Sequence, residues 1–79
     1  MDVDFYLYFP SEDGAQNAAD ALRAEAYAVE TRLGADDVNW LALATRSLSD
    51  DDLDAAEERL SELAELLGGE YDGFEREVD

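Results

Sequence analysis

From Val3 to Phe9 the chain alternates Val3, Phe5, Leu7 and Phe9 with Asp4, Tyr6 and Tyr8. A period of two in strand-forming residues predicts a β-strand with one buried face and one face outside the core. This constrains everything that follows, because the large side chains on one side of such a strand need neighbouring strands and a second layer to cover them. A chain of 79 residues has room for a single core, and at this length folding buries only about 60–65% of the surface the unfolded chain exposes. One domain, residues 1–79, is expected. Without cysteine there is neither a disulfide staple nor a thiolate zinc site to support it.

The remaining segments supply the missing strands and the second layer. Pro10 stops the first strand, and Ser11 is placed to cap a helix whose apolar positions Ala15, Ala18, Ala19, Leu22 and Ala26 follow helical spacing. Tyr27 to Leu33 reads as a second strand, Gly34-Ala35-Asp36-Asp37 as a turn with Gly34 at positive φ, and Val38 to Arg46 as a third strand. Ser49 with Asp52 fits an acidic variant of the capping box, and Asp50, Asp51 and Asp52 favour a helix N-terminus. The second helix carries Leu53, Ala56, Leu60, Leu63, Ala64 and Leu67 and ends at Gly68-Gly69, before a fourth strand from Glu70 to Val78. The order βαββαβ predicts an α+β fold, a ferredoxin-like sandwich with two helices on one face of a four-stranded antiparallel sheet. Right-handed crossovers place strands one and three in its middle.

Composition narrows the functional classes. Asp and Glu number 22 against 5 basic residues, giving a formal net charge of -17, and all the basic residues are arginines: Arg23, Arg32, Arg46, Arg59 and Arg76. Such self-repulsion expands a small domain in dilute buffer and is largely screened near 1 M salt, where the screening length falls to about 3 Å. Absent lysine, abundant Asp and small Ala in apolar positions are similar to proteins of salt-in halophiles; an ordinary protein with an acidic binding face is the alternative. Either way the surface repels phosphate, so no direct nucleic-acid ligand is expected. Met1-Asp2-Val3-Asp4 lacks the features of a signal peptide and no apolar run reaches bilayer length, so the expected location is cytoplasmic, with no membrane partner.

Certain segments carry a family resemblance. Asp4-Phe5-Tyr6-Leu7-Tyr8-Phe9-Pro10, Ala21-Leu22-Arg23, Trp40-Leu41-Ala42-Leu43-Ala44-Thr45-Arg46 and Gly68-Gly69-Glu70-Tyr71-Asp72-Gly73-Phe74-Glu75 together resemble the domain of the regulator of ribonuclease E activity B family. Phe74 stands where that pattern has a tryptophan. The resemblance implies a ferredoxin-like fold and a protein that binds the scaffold part of ribonuclease E, or a related RNA-decay protein, and dampens RNA decay through protein contact.

The residues offer little to catalysis. Asp50-Asp51-Asp52-Leu53-Asp54 begins like a calcium loop, but Ala55 stands where such a loop needs glycine and Ser61 where it needs a bidentate glutamate. Neither a metal nor a cofactor is expected. His, Cys and Lys are absent, which leaves the hydroxyls without an obvious base, and so small a domain rarely forms a pocket of about 300 Å³ or more. No enzyme activity is expected. The aromatic residues say more. If Val3, Phe5, Leu7 and Phe9 face the helices, Tyr6 and Tyr8 point to the uncovered face of the sheet. Strand three can turn either way by its pattern, and placing Leu41 and Leu43 inward puts Trp40, Ala42 and Ala44 outward beside the tyrosines. Tyr71 and Phe74 share a face if Gly73 forms a bulge. Tyr6, Tyr8, Trp40, Tyr71 and Phe74 are thus the candidate partner-binding residues, with another protein or a second copy of the chain as occupant, ahead of plain cross-strand packing and of RNA.

Overall fold

The computed structural model describes residues 1–76. The alternating segment forms β1 (Asp2–Phe9), and its Val3, Phe5, Leu7 and Phe9 are completely buried. Ser11 caps α1 (Glu12–Ala24), its hydroxyl oxygen accepting from the Gly14 N–H at 3.3 Å, which satisfies one of the free donors at a helix start. The small face of α1, Ala15, Ala18, Ala19 and Leu22, is completely buried. Beyond β2 (Ala28–Leu33) and β3 (Trp40–Ser47), α2 (Asp50–Leu66) buries Leu53, Leu60, Leu63 and Ala64 before β4 (Glu70–Arg76) completes the sheet. The expected extension of strand four to Val78 lies outside the described residues.

The sheet order is β2-β3-β1-β4 with every neighbouring pair antiparallel. Strands one and three occupy the middle, and the whole is the ferredoxin-like arrangement that the element order predicts. One hydrophobic cluster among the described residues joins Val3, Phe5, Leu7 and Phe9 to Ala18 and Leu22 of α1 and to Leu53, Leu60 and Leu63 of α2.

Local details depart from expectation where backbone geometry decides. The first helix stops at Ala24, and Ala26 is the left-handed residue that reverses the chain, with φ of 72°. The Tyr27 N–H reaches the Leu22 carbonyl at 3.0 Å and the Ala26 N–H reaches Arg23 at 3.2 Å, the paired bonds of a Schellman closure. The second helix ends the same way, Gly69 donating to Ala64 and Gly68, with φ of 79°, donating to Glu65. Strand two therefore starts at Ala28 rather than Tyr27.

Gly34 is not at positive φ; Asp37 is, with φ of 58°. Glycine is needed at 34 for another reason, since a Cβ there would lie 2.8 Å from the Asn39 carbonyl oxygen. The capping box at Ser49 does not form either. Its hydroxyl donates to the Asp52 carboxylate at 3.0 Å instead of accepting from the backbone. The bulge at Gly73 is present: the register with β1 shifts between Phe5 and Leu7, and Gly73 has φ of 106°.

Candidate protein-binding face

Residues paired across antiparallel strands project to the same side of a sheet, so the register assigns each side chain to a face. Phe5 pairs with Ala44, Leu7 with Ala42 and Phe9 with Trp40. These face the helices. Tyr6 pairs with Leu43, Tyr8 with Leu41 and Asp4 with Thr45, and these point to the side that no helix covers.

The expected orientation of strand three is thereby reversed. Trp40 lies on the helix side, packed against the core with Phe9 across from it, while Leu41 and Leu43 are turned outward. The reason is volume. Phe5 and Leu7 already fill the centre of the core, and the positions opposite them accept only alanine, as Ala44 and Ala42 show.

Strand four is corrected in the same way. The bulge does align Tyr71 and Phe74, but Tyr71 pairs with Leu7 and Phe74 with Phe5, which puts both on the helix side. The Phe74 ring sits 6.0 Å from that of Phe5, and Tyr71 faces α2 in a recess of about 370 Å³ with Asp54, Glu57, Glu58 and Ser61. Of the five aromatic candidates the uncovered face keeps Tyr6 and Tyr8. Sequence reasoning passed over Leu41 and Leu43, because in a run of alternating Leu and Ala only the pairing register tells inside from outside.

The open face has an apolar centre and an anionic border. Tyr6, Tyr8 and Leu43 are half-buried, with Leu41 nearly covered between Tyr8 and Arg32 across the strands. Around them stand Asp4 on β1, Glu30 on β2, and Glu70 and Glu75 on β4, with Arg32 the basic residue of the face. The Tyr6 hydroxyl donates to Glu75 Oε2 at 3.3 Å, and Thr45 donates to Asp4 Oδ1 at 2.8 Å. Partial burial first, and the Glu75 carboxylate second, push the Tyr6 phenol above its ordinary pKa. It stays a neutral donor at physiological pH.

The loop between β2 and β3 borders the Tyr8 end of this face. Asp36 holds the loop together, its carboxylate accepting from the N–H groups of Val38 and Asn39, each at 3.0 Å, and from Asn39 Nδ2 at 2.9 Å. Those donors, led by the Asn39 N–H, keep the Asp36 carboxyl below the usual range. Tyr8, Ala35, Asp36, Asn39, Glu70 and Asp72 line an open recess of about 320 Å³. Recesses of this size thus do occur in so small a domain, but this one is shallow and rimmed with carboxylates. Among the described residues, no group of three or more acidic side chains converges as a metal site would, and no helix is long and apolar enough to cross a membrane.

The sheet edges are less available than the face. On the β2 edge Arg23 Nη2 donates to the Val29 carbonyl at 2.8 Å, and Gln16 Nε2 donates to Thr31 Oγ1 at 2.9 Å. The β4 edge is interrupted by its bulge. Capped and bulged edges resist pairing with a foreign strand.

The sequence model of the family described as regulator of ribonuclease activity B matches residues 1–75. The chain belongs to that family. No curated protein and no solved structure matches it. The regulator of ribonuclease activity B family is a regulatory family, and ribonuclease activity is what its description says is regulated.

Proposed function

We propose that this chain regulates a ribonuclease by protein contact, without catalysis of its own, and that the open sheet face is the contact surface. Ribonuclease E, or a related RNA-decay protein, is the proposed partner. The observation that carries this reading is the uncovered centre of Tyr6, Tyr8 and Leu43 within a ring of carboxylates. Amphipathic tyrosines with an aliphatic neighbour form the type of centre on which protein contacts concentrate, and charged borders steer the partner's approach. Self-association of the same face would set carboxylates against carboxylates, which favours a basic partner over a second copy.

The test is binding to purified ribonuclease by the wild type and by single variants. Tyr6→Ala and Leu43→Ser should each weaken binding by about tenfold, equal to about 1.4 kcal/mol, while the domain remains folded. Trp40→Ala should lower the melting temperature and leave the affinity of the folded protein unchanged. If Trp40→Ala abolishes binding and Tyr6→Ala does not, the contact lies on the helix side and this assignment is wrong.

A further inference from the structure

We propose that the occupant of the open face is an extended peptide segment with arginine at alternate positions, laid along the seam between β1 and β4. This rests on the ribonuclease-contact reading above and adds the form in which the partner presents itself. On β1 the outward residues along the seam are Asp4, Tyr6 and Tyr8. On β4 the bulge at Gly73 brings Asp72 and Glu75 to the same side as Glu70, with Glu75 opposite Asp4 and Glu70 opposite Tyr8. A regular strand would have turned Glu75 towards the helices. The result is a row of three carboxylates, Glu70, Asp72 and Glu75, at intervals of about 7 Å along β1, the rise of two strand residues. An extended partner repeats the side chains of one side at that same interval.

Charge alone would not choose this seam, because α1 and α2 also carry many carboxylates. Neither helix has an aromatic residue, whereas two carboxylates of the seam stand beside a tyrosine ring: Glu70 pairs with Tyr8, and Asp72 lines a recess with Tyr6. A guanidinium uses both, a ring face to lie on and a carboxylate for paired hydrogen bonds. Glu70 and Asp72 have no ion-pair partner among the described residues, and Arg32 lies on β2, two strands from β1. The space is continuous as well. Open recesses of about 320, 320 and 300 Å³ meet at Tyr8, running from Tyr6 and Glu75 past Asp72 and Glu70 to Pro10 and Gly68. From Tyr6 to Pro10 this is about 13 Å, room for about four extended residues. The recess at Tyr71 is equally anionic but shares no lining residue with these three, so it offers a chain no path.

Fluorescence anisotropy with two fluorescein-labelled peptides of arginine and serine provides the test, one with its arginines alternating and one with the same arginines consecutive. Composition and charge are equal, and at about 0.5 M KCl attraction beyond contact range is screened, so any difference in affinity reports spacing. The alternating peptide should bind about fivefold or more tightly. Asp72→Asn, Glu70→Gln and Tyr8→Leu should each remove most of that preference, whereas Glu62→Gln with Glu65→Gln, on α2 away from the face, should keep it. Equal affinity of the two peptides, or a preference lost in the α2 variant and kept by Asp72→Asn, overturns the seam as the site. An excess of the alternating peptide should also displace the domain from ribonuclease E. If the domain binds the enzyme, loses that binding with Tyr6→Ala and yet is not displaced, the partner presents a folded surface, which overturns the extended segment and leaves the protein contact standing. Absence of any binding to the enzyme removes both.

Discussion

Tyr71 carries a buried hydroxyl with no hydrogen-bond partner among the described residues. Its ring fills space beneath α2 against the core, and the oxygen at its tip borders the recess lined by Glu57 and Ser61, near the Glu57 carboxylate but outside hydrogen-bond geometry. An unsatisfied buried hydroxyl costs about 1–3 kcal/mol, so Tyr71→Phe should stabilise the domain by about 1 kcal/mol and raise its melting temperature by about 4–8 °C. Loss of stability in that variant would mean that the hydroxyl finds a partner in solution. Burial first, and the nearby Glu57 carboxylate second, push the phenol upward from its ordinary pKa. The folded protein therefore holds this proton more tightly than the unfolded chain does. The associated stability is intact below pH ~10, the unfolded value, and is lost as pH climbs from there towards the folded value. Urea titrations at pH 8 and 11 should show a smaller alkaline loss for Tyr71→Phe than for the wild type.

Elements end and bend at two strained positions, and opposite substitutions test them. Ala26 closes α1 at positive φ, where the corresponding residue of α2 is Gly68. Replacing Ala26 with glycine relieves the left-handed penalty on a Cβ and gives back part of it as unfolded-state entropy, for a net gain of about 0.5–1 kcal/mol. Gly73→Val should act in the other direction. A Cβ at Gly73 meets no atom within 4 Å, so its expected cost of about 1–3 kcal/mol comes from φ alone. A neutral Gly73→Val in thermal melting would mean that the β4 bulge relaxes without difficulty. These elements also show what the sequence could disclose. β1 and both helices were legible because their buried positions contrast chemically with their neighbours, as Phe5 does with Asp4 and Leu60 with Glu58. In β3 that contrast is missing: Leu41, Ala42, Leu43 and Ala44 are all apolar, and their direction follows from the space left beside Phe5 and Leu7. The outward direction of Tyr6 and Tyr8 is readable for the first reason, and the direction of Trp40 is ambiguous in the sequence for the second. The bulge at Gly73 could be inferred from its glycine, but the face it presents depends on pairing with β1, which local sequence does not encode.

Across the whole molecule the excess of carboxylates sets the conditions in which the fold holds. Ion pairs at Asp20, Glu25 and Asp50 engage a small part of the acidic surface, and all are solvent-exposed, where such pairs contribute about 0–1 kcal/mol. Repulsion among the rest is relieved by added salt. Between about 0.05 M and 2 M KCl the melting temperature should rise by on the order of 10 °C, and a flat curve in differential scanning calorimetry would reject adaptation to high salt. The position of Trp40 bears on how these measurements can be read. It is the one tryptophan of the chain, and it sits between the sheet and the helices, on the opposite side from Tyr6, Tyr8 and Leu43. Its emission will follow loss of the core and stay silent when a tryptophan-free peptide docks on the other side. A spectral shift during such a titration therefore signals melting, so the protein has an internal reporter that separates a variant that cannot bind from one that cannot fold.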